Sequence, residues 1–154
     1  MKKILLFAGM FAGPACMEPH STVQPRRDYS RDPRLARLKV YFTRCQCPVG
    51  ELSADFLIAA DINGLDWRLL PSISVVESSG GKNYKNNNVF GWDSCKQRFP
   101  SVRDGIHHVA RQLAHSPVYR HKNLDRMLRA YNCAGNYPAL VRRVMRNLAP
   151  DVLN

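Results

Sequence analysis

From about Leu38 almost to the end of the chain, apolar residues recur at spacings of three and four, and no stretch alternates long enough to suggest a strand. That pattern predicts four helices and a shorter fifth. The first, over 51–62, carries Leu52, Phe56, Leu57 and Ala60 and stops at Asn63-Gly64. The second has Asp66 as its N-cap and runs through Trp67, Leu69, Leu70, Ile73, Val75 and Val76, with Pro71 predicting a kink or a split start. Ser101-Val102-Arg103-Asp104 opens the third as a capping box, with Ile106, Val109, Ala110 and Leu113 on one face. Pro138 opens the last, whose stripe is Leu140, Val141, Val144, Met145 and Leu148, and 123–131 predicts the short helix before it. The longest stretch without helical period is the loop from Ser78 to Trp92. Long loops inside compact domains are often functional. The class is mostly α.

The first residues follow a different pattern. Met1-Lys2-Lys3 is basic, Ile4 to Ala12 is a short apolar run, and Gly13-Pro14-Ala15 supplies small residues before Cys16. That order reads as an export signal over 1–15, too short for the roughly 20 residues a bilayer span needs. Two fates of Cys16 stay open: ordinary cleavage, or lipidation of Cys16 as the first mature residue, although Gly13 stands where an aliphatic residue is usual. Residues 16–37, rich in Pro, Arg and Ser, read as a disordered tether, and 38–150 as the domain.

Charge and cysteine content then narrow the partners. The formal charge is +11 over 154 residues, and loss of Lys2 and Lys3 with the signal leaves +9. An anionic partner is expected, and export favours an envelope polymer over nucleic acid. Membrane contact is expected only through a lipid on Cys16. Setting Cys16 aside leaves Cys45, Cys47, Cys95 and Cys133. In an oxidising compartment four cysteines can pair in three ways. Linking Cys45 to Cys47 would close a strained ring, and the single residue between them is too short a gap for a usual zinc pair. No metal and no cofactor are expected: His107 and His108 point about 100° apart on a helix, and His115 and His121 lack a partner at ligand spacing.

Glu77 stands out on position alone. It follows Val75-Val76 in the last turn of the second helix, where apolar neighbours and the negative end of the helix dipole both favour the protonated carboxylic acid. A protonated carboxyl near neutrality is what a general acid requires. The bland alternative is a glutamate facing water at a helix end. Tyr84, Asn87 and Asn88 in the following loop can bind hydroxyl and N-acetyl groups without imposing charge.

Leu69-Leu70-Pro71, Val75-Val76-Glu77-Ser78, Gly80-Gly81 and Asn87-Asn88-Val89-Phe90-Gly91-Trp92, taken in order, resemble the lysozyme-like superfamily, most closely the bacterial glucosaminidase family of peptidoglycan hydrolases. The resemblance covers roughly residues 50–148. It implies a helical lysozyme-like domain with a small loop or β-hairpin after the catalytic-glutamate helix. It implies Glu77 as the general acid, Tyr131 beside it, and Ser78, Asn87, Asn88, Phe90, Gly91, Trp92 and Tyr137 around the sugar cleft. Asp93 is the nearest candidate for a second carboxylate, because Asp104 serves its helix cap. Without such a base, the substrate's own N-acetyl group or an internal ring closure would complete the reaction. Asn132 to Asn136 depart from the family pattern, and Cys133 there is placed to pair with Cys95 and brace the cleft. The function implied is cleavage of peptidoglycan glycan strands by a monomer, as an N-acetylglucosaminidase, or as a muramidase or lytic transglycosylase at the other bond. A cell-wall glycan-binding module without turnover is the alternative of a different class.

Overall fold

The computed structural model describes residues 28–149. The predicted signal, Cys16 and most of the predicted tether lie outside them. The described residues form six α-helices and no strand: α1 (Pro33–Arg44), α2 (Ser53–Ile62), α3 (Leu69–Ser78), α4 (Val102–His115), α5 (Leu124–Tyr131) and α6 (Tyr137–Leu148). The mostly α class holds. None of these helices is long and apolar enough to cross a membrane.

The folded unit begins earlier than residue 38. Asp32 caps α1 by accepting from the Arg34 N–H, Pro33 fills the first turn, and Leu35, Leu38 and Phe42 enter the core. Tyr29 is buried too, its hydroxyl donating to Asp61 at the end of α2 at 2.9 Å. Arg34 forks between Asp32 and Asp61 at 2.7 and 2.8 Å. Arg31 before this helix and Arg37 and Lys39 on its exposed face gave the segment the composition of a tether.

The other predicted helices form, with altered ends. Helix 51–62 starts as a 3-10 turn, Pro48–Leu52, before α2 proper. At its far end the Leu65 N–H reaches the Ala60 carbonyl and the Gly64 N–H that of Asp61, with Gly64 at φ 63°. That pairing is a Schellman stop. The second predicted helix has the split start: Asp66 ties the Arg68 N–H in a separate turn, and α3 begins at Leu69 with Pro71 third. In the first turn a proline costs no helical hydrogen bond. Ser101 caps α4 by accepting from the Asp104 N–H, and Asp104 accepts from the Ser101 hydroxyl at 2.6 Å. Leu140 departs from its predicted stripe, being exposed on α6.

α3 is the central helix. Seven of its ten residues are buried, and it packs chiefly on α6 and also on α2. Two of its buried serines are served locally, Ser74 donating to the Pro71 carbonyl and Ser78 to that of Ser74, whereas the buried Ser72 hydroxyl has no hydrogen-bond partner. α2 packs across to α4, and α5 lies on α6. One cluster from Tyr29 to Leu148 forms the core, with Phe42, Phe56 and Phe90 at its middle.

Candidate functional site

The C-terminal end of α3 is fixed by close backbone contact. Ser79, Gly80 and Gly81 have φ of 54°, 67° and 86°, and the Gly80 N–H returns to the Ser74 carbonyl. A Cβ on Gly80 would land on the Cys47 side chain, and one on Gly81 would lie 2.8 Å from Val49 Cγ1. Only glycine combines these angles with that approach. Val49 N–H donates to the Gly80 carbonyl, so the end of the Glu77 helix is held against the 3-10 turn before α2.

The asparagine run works as backbone carpentry. Asn86 and Asn87, at φ 60° and 56°, are the two central residues of a tight turn closed by the Asn88 N–H on the Lys85 carbonyl at 3.0 Å. Both left-handed angles identify a type I′ turn, which asparagine tolerates. The hairpin implied by the family resemblance is reduced to this single bridge between Lys85 and Asn88. Asn87 donates to the carbonyls of Phe99 and Pro100, and Asn86 to that of Cys95. Asn88, 2% exposed, donates to the Trp92 and Gln97 carbonyls and accepts from the Trp92 N–H.

That clamp sets the next residues against Glu77. Phe90 is fully buried against Phe56, and its carbonyl accepts the Tyr131 hydroxyl at 2.6 Å. Gly91 has φ 62°, and a Cβ there would lie 2.7 Å from Glu77 Oε2. Asp93, Ser94 and Cys95 follow at φ 50°, 52° and 63°. Three consecutive non-glycine residues in the left-handed region store strain, which clusters at functional sites.

Glu77 opens into a cleft of about 770 Å³, whose walls include Gly91, Trp92, Asp93, Gln97, Tyr119 and Tyr131. Trp92 packs on Tyr119 and Tyr131 with ring centres 5.9 and 5.7 Å apart, and Tyr131 stacks on Tyr137. Burial first, and the Glu77 charge second, push the Tyr131 and Tyr137 hydroxyls well above the usual phenol range. Burial alone raises Tyr119. All three phenols therefore stay protonated as donors. The Tyr137 hydroxyl is buried beside Glu77 without a hydrogen-bond partner at ordinary geometry. A buried orphan donor is costly, so the pair gains by any rotation that closes the bond.

The predicted residues divide into two groups. Glu77, Tyr131, Gly91, Trp92 and Asp93 meet in the cleft. Ser78, Asn87, Asn88 and Phe90 do not line it: their polar groups are spent on the protein's own backbone, and the Phe90 ring lies in the core. Tyr137 lies behind Tyr131, and Tyr84 is exposed elsewhere. Tyr119 and Gln97 line the cleft and were missed. Tyr119 comes after α4, directly following Ser116-Pro117-Val118, a stretch without period or motif to signal it. Cys95 and Cys133 both reach the cleft, yet both are free thiols, as are Cys45 and Cys47. The expected Cys95–Cys133 bridge is therefore not formed. The hydrogen bonds of Asn86 and Asn88 already brace the wall that it would have tied. Among the described residues no group of three His, Cys, Asp or Glu side chains is placed to hold a metal ion.

Comparisons of the chain with protein-family models, with curated proteins and with solved structures give no match.

Proposed function

We propose that this chain is a glycoside hydrolase of peptidoglycan, cutting the strand of alternating N-acetylglucosamine and N-acetylmuramic acid with Glu77 as general acid. The observation that carries the reading is a glutamate at the end of a buried helix opening into a cleft walled by Trp92, Tyr119 and Tyr131. Aromatic faces suit the apolar C–H faces of sugar rings, and phenol donors suit their hydroxyl and N-acetyl groups. A helical unit with its acid in that place also accords with the lysozyme-like resemblance, and N-acetylglucosaminidase action is the preferred form.

In the proposed reaction Glu77 gives its proton to the glycosidic oxygen as the bond to the anomeric carbon breaks. Tyr137 orients the carboxyl from behind, and Tyr131 holds the 90–92 backbone in place. Asp93 is the candidate to take a proton from the attacking water. Muramidase or transglycosylase action would use the same residues, and export to the envelope would bring the chain to this substrate.

The test is incubation of the purified chain with peptidoglycan and mass spectrometry of the soluble fragments. Their reducing ends name the bond cut, and anhydro ends indicate transglycosylation. Glu77→Gln should lower the release rate on the order of a hundred- to ten-thousand-fold. A second reading, a glycan-binding module without turnover, is favoured by one observation: the exposed Asp93 carboxylate has no hydrogen bond among the described residues to fix it as a base. Equal and negligible release by wild type and Glu77→Gln, with binding retained, would establish that reading instead.

A further inference from the structure

Next to the aromatic cleft lies a second hollow of about 340 Å³, lined by Arg98, Phe99, Asp104, His107, His108 and Arg111, among others. Gln97 lines both cavities, and His108 meets the cleft residue Trp92 edge-on with ring centres 6.0 Å apart. The two spaces are therefore neighbours, with Gln97 and the Trp92–His108 contact between them.

The charges of this hollow are unbalanced. Arg98 and Arg111 are exposed and form no ion pair among the described residues, whereas Arg34, Arg68, Arg103 and Arg142 each have a carboxylate partner. Its sole carboxylate, Asp104, is engaged by the Ser101 hydroxyl at 2.6 Å in the cap of α4. His108 titrates below its usual range, through burial and then through the Arg111 charge. Phe99 lies under the His108 ring at 5.3 Å and supplies an apolar floor. Exposed guanidinium forks lining such a hollow can recognise carboxylates in pairs of hydrogen bonds.

We propose that this hollow is a carboxylate subsite that receives the acidic peptide branch of the glycan lying in the neighbouring cleft, with Arg98 and Arg111 as its cationic contacts. The proposal rests on the glycan reading of that cleft. It explains how one face could distinguish a branched, acidic strand from a neutral one: the aromatic cleft takes the sugars, and the basic hollow takes the charge they carry.

The experiment uses the full chain carrying Glu77→Gln, so that no probe is consumed. Histidine ring resonances are followed by NMR during additions of three probes: N-acetylglucosaminyl-N-acetylmuramyl tetrapeptide, neutral chitotetraose and inorganic phosphate. The muramyl peptide should shift the His107 and His108 resonances and raise the titration midpoint of His108, and chitotetraose should not raise it. The double variant Arg98→Gln/Arg111→Gln should bind the muramyl peptide at least about tenfold more weakly, as loss of charged hydrogen bonds requires, with chitotetraose affinity unchanged. Equal affinity of the double variant for the muramyl peptide would overturn the proposal. So would phosphate reproducing the full His108 response, because the hollow would then be a general anion site. Because none of these readouts needs turnover, inactivity of the wild type on peptidoglycan would sink the hydrolase reading and leave the subsite standing.

Discussion

At the scale of single residues, the site depends on a few positions where the backbone comes unusually close. Gly91→Ala places a methyl group 2.7 Å from Glu77 Oε2 at φ 62°. The left-handed strain costs about 1–2 kcal/mol, whereas the clash falls on the movable end of a side chain. Under the proposed hydrolase function, activity should therefore fall far more than stability does: at least about tenfold in release rate, beside a modest drop in unfolding temperature. Activity unchanged within twofold would mean that the Gly91 approach does not set the Glu77 position. Tyr131→Phe removes the 2.6 Å hydrogen bond to the Phe90 carbonyl, and should cost about 1–3 kcal/mol in denaturant unfolding. Glu77 was legible from its place between apolar residues and a glycine turn, because that context is local. Tyr119 was not, because its place in the wall depends on where α4 releases the chain.

At the scale of elements, the loop after α3 shows how polar residues mislead a sequence reading. The same amides that can bind sugars can bind backbone, and only burial separates the two uses. Asn88 spends its side chain on Trp92 and Gln97. Asn88→Ala should thus lower stability by roughly 1–3 kcal/mol, since two partly buried carbonyls and an N–H lose their partner. A ligand-binding Asn88 would instead leave unfolding unchanged and weaken glycan binding alone. On α4, His108 faces Arg111 on its own helix, Asp104 one turn back, and Arg98 from the preceding segment. Its folded pKa lies below the ordinary 6.5, so between that lower value and 6.5 the unfolded chain binds the extra proton. The contribution of neutral His108 is complete above about pH 6.5 and is lost as pH falls through that window. His108→Gln should flatten the acid-side slope of stability against pH, measured by denaturant titrations at several pH values; an unchanged slope would assign it to other groups.

For the whole molecule, the helical class and the positions of α2 to α6 followed from apolar spacing and caps. The start of the fold did not. Its signals were present in Asp32-Pro33 and in Leu35, Leu38 and Phe42, but arginines on the outer face gave α1 the composition of a solvated segment. The consequence is measurable: a chain beginning at residue 38 loses Tyr29, Leu35 and the Arg34 fork onto Asp61, whereas one beginning at residue 28 keeps them. The shorter form should unfold roughly 10 °C lower than the longer, for a loss of about 3 kcal/mol or more. Equal melting curves would return residues 28–37 to the tether.

Cys47 carries a last consequence. Its sulfur lies beneath Gly80, 8% exposed, and burial raises its thiol pKa, so in the closed state it is a poor nucleophile. The turn that ends the Glu77 helix covers one side of it, and the hollow between Phe42 and Gly50 borders the other, so full access to an alkylating reagent follows from that turn lifting away. The half-life of that one thiol, set against the more accessible Cys133, therefore works as a clock built into the chain. It times how often the turn that ends the Glu77 helix comes apart while the rest of the protein stays folded.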